Sequence, residues 1–244
     1  MNHVIDQMQK HISVRKYTDQ AIPQSVLEEI LIAAQGASSS NFIQAYSVIS
    51  VEDTEKKQLL ADYSNNPHVA TCAVFLVFCA DLARLNAACL QHNTVVQSDS
   101  MENLLVSTID ATLFAQNVAL AAESKGYGIC FIGGIRNQPE KINELLNIPH
   151  LVFPVFGMTI GVPVKQNQVK PRLPLQAILH KECYDDNKYP ALLSQYDHTM
   201  QTYYQTRGTN QKNDDWTHNM SQFISQLKRP HMKDFLAKQG FKAK

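Results

Sequence analysis

Residues 126–134 read GYGICFIGG, and this stretch decides whether the chain is a doubly wound nucleotide-binding sheet. Gly126 and Gly128 stand at the first spacing of a GxGxxG phosphate loop, but Phe131 occupies the third place. That third glycine lets a helix pack closely on its strand, and here a β-rich run follows instead of a helix. The fingerprint fails. YGICFIGG reads instead as a strand ending in a glycine pair, Gly133 and Gly134. Working outward, NQPEKINELLNI (137–148) predicts a helix and VFPVFGMTIGVP (152–163) another buried strand. Upstream, residues 99–125 carry Leu104, Leu105, Ile109, Leu113, Val118, Ala119 and Ala122 with no Gly or Pro before Gly126, which predicts a buried central helix.

AYSVISV (45–51) and AVFLVFCAD (73–81) read as strands separated by the helical DTEKKQLLADY. The second is apolar up to Asp81, as befits a strand covered on both faces at the centre of a sheet. Residues 2–10 predict a short helix with Val4, Ile5 and Met8 on one face, and HISVRKYTD (11–19) is polar and extended. Pro23 opens a helix carrying Val26, Leu27, Ile30, Leu31 and Ala34, stopped by Gly36 and the run Ser38, Ser39, Ser40, Asn41. From about residue 165 the character changes. KQNQVKPRLPLQ is a Pro-punctuated arm, and 188–240 is mostly polar helix, too poor in large aliphatics for a core of its own. The expectation is an α+β fold with a core over 1–164 and an extension over 165–244 that wraps the main body or a partner.

The 244 residues include 22 Lys plus Arg and 22 Asp plus Glu, with 44% apolar and 18% charged side chains. That makeup is globular, and zero net charge argues against nucleic acid and anionic membrane as partners. The N-terminal MNHVIDQMQKHISVRKY holds no uninterrupted apolar run, so a cytoplasmic protein is expected. Five scattered cysteines without a CxxC pair fit reduced buried thiols, and nine histidines lack ligand spacing, so no metal is expected.

Three polar segments interrupt the apolar pattern at the ends of elements: His11, Ser13 and Arg15; Ser38 to Phe42; and Lys170 with Arg172. Side chains alternate along an extended chain, so each i, i+2 set shares a side, and together they offer charge and donors for a phosphate. Lys170 and Arg172 are equally at home on a solvated loop, and the serine run as a helix terminator. Phe42 and Gln44 add an apolar surface beside donors, suited to a flat heteroaromatic ring. Gly133 and Gly134 read either as a turn or as backbone that a ligand approaches closely.

HISVRKYTD, ASSSNFIQ (37–44), IGGIRN (132–137), VKPRLP (169–174) and YYQTRGTN (203–210), in that order and spacing, resemble the flavin-dependent nitroreductases, in particular the NADPH-preferring group A branch with its flavin reductases. The resemblance spans nearly the whole chain. It implies a central, mostly antiparallel sheet between helices and an intertwined homodimer with FMN at the subunit interface. His11, Ser13, Lys170 and Arg172 would meet the FMN phosphate and ribityl end, and Arg15 the N1 and O2 edge, where a fixed cation favours the reduced flavin. Ser38, Ser39 and Ser40 would bond the ring edge or ribityl chain and Phe42 would border the ring. Asn66 stands where relatives often carry Gln, and the backbone of Ile132, Gly133 and Gly134 would meet N5 and O4. Arg207 matches an arginine for the NADPH 2′-phosphate, and Lys212 stands where a second arginine often lies, which implies weaker, more salt-sensitive NADPH selectivity. No side chain is expected as general acid. The implied activity is ping-pong two-electron reduction of nitroaromatics, quinones, azo compounds or free flavin; the alternative is a flavin-binding storage or redox-sensing protein. Neutrality also divides: residues 1–164 hold 9 basic and 15 acidic side chains, residues 165–244 hold 13 and 7. The basic excess then faces nucleotide phosphates.

Overall fold

Where the chain is apolar at every position it lies in the middle of the sheet. The computed structural model describes residues 2–165, 167–208 and 210–242; Gln166 in the Pro-punctuated arm and Thr209 in YYQTRGTN fall outside. In chain order the elements are α1 (His3–Gln9), α2 (Gln24–Ala34), β1 (Tyr46–Val51), α3 (Thr54–Ser64), α4 (His68–Thr71), β2 (Val74–Asp81), α5 (Ala83–Gln91), α6 (Met101–Ser124), β3 (Gly128–Ile132), α7 (Pro139–Leu146), β4 (Val152–Gly161), α8 (Leu175–Ile178), α9 (Tyr189–Thr206), α10 (Trp216–Ile224) and α11 (Met232–Lys238). Short 3₁₀ turns occupy Ser40–Phe42 and Gly133–Arg136. The strands pair antiparallel in the order β1-β2-β4-β3. All eight residues of β2 are buried. Val74, Leu76, Phe78 and Ala80 enter one core cluster with α2 and α6, while Phe75, Val77 and Cys79 enter the other with Leu60 of α3, Val69 of α4 and Ile142 of α7. The fold is α+β, a four-stranded antiparallel sheet between helices.

The chain divides into a first unit, residues 1–167 with 229–244, and a second, residues 168–228. In the first, α11 returns to the sheet: Leu151 N–H donates to the Gln239 carbonyl at 2.9 Å and the Phe153 and Phe241 rings meet edge to face at 4.8 Å. The second gathers Tyr196, Met200 and Tyr204 of α9 with Leu173, Tyr203 and Trp216. The expectation that this stretch makes no core of its own is corrected: aromatic rings do the burying that aliphatics were looked for to do.

A second correction concerns α6. It is buried along one face only, through Ser107, Asp110, Ala111, Phe114, Ala115, Val118, Ala119 and Ala122. Leu105, Ile109 and Leu113, four residues apart, stay 51%, 53% and 42% exposed. An apolar helix with apolar side chains on both its covered and its uncovered face reads as buried all round, because composition does not say which face is covered. The helix is long and apolar enough to cross a membrane, yet Ser107 and Asp110 on its buried face and its packing against α2 and β2 mark a core helix.

Candidate functional site

The segment from His11 to Tyr17 lies along the outer edge of β3. Val14 N–H donates to the Ile129 carbonyl at 2.8 Å, and Ser13 bridges Ile129 in parallel register. Glycines make this close approach possible: a Cβ on Gly128 would lie 2.6 Å from a Val14 methyl, and one on Gly161 2.7 Å from the Tyr17 ring. Val14 points into the second cluster, so Ser13 and Arg15 on either side of it point elsewhere together. Both act on Cys130 of β3: burial pushes its thiol up, while the Arg15 charge and a Ser13 hydrogen bond pull the other way. Tyr17, pushed well above its ordinary range mainly by burial, bonds the Val14 carbonyl and Thr159 Oγ1, each at 2.6 Å. His11 Nδ1 sits 2.6 Å from Glu123 Oε1 in the last turn of α6.

β3 runs directly into the turn Gly133–Arg136. The Ser64 carbonyl accepts from Asn66 Nδ2 at 2.7 Å and Asn137 Nδ2 at 3.0 Å, and Asn137 Oδ1 accepts from Arg229 Nε at 2.8 Å. A Cβ on Gly134 would lie 2.2 Å from the Ser64 carbonyl oxygen, so this glycine is required by the protein's own packing. Gly133 differs. Among the described residues, the nearest atom to its hypothetical Cβ is Arg136 Nη2 at 3.4 Å. Arg136 donates to the Val155 carbonyl, and burial, then Arg229, lowers its pKa. Ile132 is buried. His68, at the start of α4, keeps its Nε2 shielded from solvent with no hydrogen-bond partner among the described residues. Its pKa is lowered by burial and then by the charge of Arg15.

Ser38 to Phe42 sit elsewhere. Asp110, buried in α6, accepts from Ser40 N–H at 3.1 Å and Ala45 N–H at 3.0 Å. Between these anchors Asn41, Phe42 and Gln44 all adopt left-handed backbone, φ 46°, 61° and 50°, and Phe42 is 82% exposed. Such a cluster of strained residues marks a loop held in place by its surroundings. Asp110 and Glu123 are 13 residues apart, about 20 Å along the helix. Within one chain the serine loop and His11 are therefore anchored to distant parts of α6.

In the second unit, Lys170, Arg207 and Lys212 surround the buried Tyr204 ring, at 5.6, 4.9 and 4.6 Å from its centroid. Arg207 Nε donates to the Asn210 carbonyl at 2.8 Å. Lys212 Nζ is 2.6 Å from Asp214 and 3.2 Å from Asn219, and its bond lowers the Asp214 pKa. Arg172 acts on Tyr196, two turns before Tyr204 on α9.

The whole chain matches known proteins. Residues 8–162 match the model of the nitroreductase family and residues 170–244 that of its C-terminal domain. The chain belongs to the nitroreductase family. A Cr(VI) reductase of Pseudomonas sp. (strain G-1) is 50% identical over 235 residues, covering 96% of this chain and 97% of that one. The FMN reductase (NADPH) of Bacillus subtilis (strain 168) is 38% identical, covering 99% of each. Among solved structures, NfrA1 nitroreductase from B. subtilis superposes with a TM-score of 0.94 at 37% identity, over 98% of this chain and 99% of that one. The NADPH:FMN oxidoreductase from Vibrio harveyi complexed with NAD+ superposes with 0.91 at 34%, over the full length of both chains. This nitroreductase is thus an oxidoreductase of the group whose close relatives are NADPH-dependent FMN reductases.

The family implies FMN, and the residues present fit it: the exposed Arg15 guanidinium acts on His68, whose buried imidazole nitrogen is orphaned among the described residues, and Gly133 follows Ile132 of the cluster that holds Val69. Sequence reasoning missed Asp110, Glu123 and His68. Asp110 left a trace, as the only charged residue between Leu104 and Ala122. His68 in NNPHVA left none.

Proposed function

We propose that this nitroreductase is a cytoplasmic homodimer that binds FMN and, with NADPH as donor, reduces flat acceptors by a ping-pong cycle. The observation that supports this is that Arg15 acts on both Cys130 and the orphaned His68, with Ser13 also bonded to Cys130 and Gly133 following Ile132 of the same core cluster. When bound, FMN would supply the two-electron chemistry that links NADPH to the acceptor. Arg15 would hold positive charge toward the flavin's N1 and O2 edge and stabilise charge that develops on reduction. Gly133, with Ile132 and Gly134, would present main chain to the N5 and O4 edge, and Asn66 would meet the ribityl chain. His11 and Ser13, with Lys170 and Arg172, would hold the phosphate end; Arg207 and Lys212 would take the NADPH 2′-phosphate.

Ser38, Ser39, Ser40 and Phe42 would reach the flavin of a second copy. Two anchors about 20 Å apart on α6 support that reading, as does the exposed Leu105, Ile109 and Leu113 stripe, which offers a second copy an apolar face. Acceptors are nitroaromatics, quinones, azo compounds and free flavin, and the Pseudomonas relative's name adds Cr(VI), which is not a flat ring. No side-chain general acid is invoked. The test is anaerobic stopped-flow mixing of FMN-loaded protein with NADPH. Loss of the flavin band within seconds, and its return on adding nitroaromatic or quinone, is expected; bleaching over many minutes would indicate a flavin store or sensor instead.

A further inference from the structure

His68 is a titratable side chain of this region to which the assignments above give no role. Its ring opens α4, directly before Val69, which packs in the same cluster as Val14, Cys130, Ile132 and Ile135. The charge of Arg15, which acts on Cys130 together with Ser13, also acts on His68. Its Nε2 is buried and has no partner among the described residues, whereas most buried polar side-chain atoms have one. Two residues before His68, Asn66 gives its amide to the Ser64 carbonyl. The charge of Arg15 reaches the ring, and a guanidinium has no acceptor to offer. Burial and that charge both favour the neutral imidazole, which keeps one nitrogen as donor and one as acceptor. The missing partner is a hydroxyl, carbonyl or imide group that also tolerates a neighbouring cation.

We propose that His68 is a contact of the bound flavin, its Nε2 completed by a hydrogen bond with a polar atom of FMN on the side that Arg15 serves. This rests on the reading that the chain binds FMN. The ring's carbonyl and imide edge and the ribityl hydroxyls offer the same chemistry, and the probe separates them: lumiflavin has the ring without the ribityl chain.

The experiment compares wild type, His68→Gln and His68→Phe by titration with FMN and with lumiflavin, together with the flavin absorption band and midpoint potential of each complex. His68→Phe should bind FMN about tenfold more weakly, with a shifted band and potential. His68→Gln, which keeps a donor and an acceptor, should stay within about threefold of wild type. The same loss with lumiflavin locates the contact at the ring; a loss with FMN alone locates it at the ribityl chain. Unchanged affinity and spectrum in His68→Phe overturn the contact while leaving FMN binding intact, and equal losses in both variants overturn it in favour of packing. A wild-type chain that binds no flavin overturns the functional reading itself, and the contact with it.

Discussion

Replacing Asp110 by alanine tests whether one buried carboxylate holds the serine loop. Two backbone donors point at it, Ser40 N–H at 3.1 Å and Ala45 N–H at 3.0 Å. Hydrogen bonds to a charged group contribute about 1.5–3 kcal/mol each, and an unsatisfied buried donor costs about 1–3 kcal/mol. Ser40 is exposed and regains water, so its loss belongs at the low end; Ala45 is fully buried and its N–H stays orphaned. Relief of the buried charge offsets part of the sum. A destabilisation of about 3 kcal/mol is expected, a fall of about 1 M in the urea midpoint at a slope of about 3 kcal/mol/M, the upper end of the range for small proteins. Asp110→Asn keeps one acceptor but turns an amide N–H₂ toward the other donor, so it should fall between. Protein concentration must be fixed, because association shifts apparent stability.

The loop gives a second readout. Asn41, Phe42 and Gln44 stay left-handed only while both anchors hold, at a cost of about 1–3 kcal/mol each. In Asp110→Ala, hydrogen exchange should rise across residues 38–46 and remain slow in β2. A variant within about 0.5 kcal/mol of wild type, with the loop still protected, would refute the anchoring.

Gly133→Ala should fold normally, since its Cβ meets nothing closer than 3.4 Å, yet lose FMN affinity; Gly134→Ala, colliding with the Ser64 carbonyl at 2.2 Å, should lose about 1–3 kcal/mol of stability, read by urea melts and FMN titration. Native thiol titration at pH 8 should find Cys183 fast, Cys89 slower, and Cys72, Cys79 and Cys130 silent until unfolding, because burial pushes Cys72 and Cys79 up to about 12 and leaves roughly one thiolate in ten thousand. For such raised thiols the unfolded chain loses protons first, so their contribution to stability is present below the ordinary value of 9.0 and falls as pH climbs toward 12, which Cys72→Ala should lessen in pH-dependent melts. Arg207→Ala should cut the NADPH over NADH ratio of kcat/KM about tenfold or more, and Lys212→Ala less, because Asp214 already holds that ammonium; Asp214→Asn should then raise the ratio. An unchanged ratio in Arg207→Ala would remove Arg207 from the coenzyme site.

The sheet was legible because burial on both faces leaves a continuous apolar run: AVFLVFCAD became β2, and GYGICFIGG became β3 and its turn. Periodicity found α2, α6 and α7, and placed Pro23 one residue inside the helix that it caps. It could not separate the buried from the exposed stripe of α6, since Leu105 and Leu104 look alike until a neighbour is present. The glycine pair was legible as a place of close approach, but not which glycine packs against protein. That depends on the Ser64 carbonyl, about seventy residues away in sequence. His68 was invisible for the same reason: an orphaned nitrogen is a property of surroundings, and NNPHVA carries no pattern for it.

The residues proposed to meet the flavin are sequence neighbours of core residues. Ser13 and Arg15 flank Val14, His68 precedes Val69, and Gly133 follows Ile132, with all three apolar residues in one cluster. Packing that fixes Val14, Val69 and Ile132 at interior density also fixes the rim within the tolerance that binding a rigid ring requires. The serine loop has no such neighbour in that cluster. Its anchor is a hydrogen-bonded carboxylate on the opposite face of the sheet, and its backbone is strained. A site assembled from a packed rim and a strained loop divides its work accordingly. On the proposed function the rim would set where the cofactor lies, and the loop with its exposed Phe42 ring would adapt to acceptors of different outline. Loop substitutions should therefore change which acceptor is preferred, and rim substitutions whether any flavin is bound.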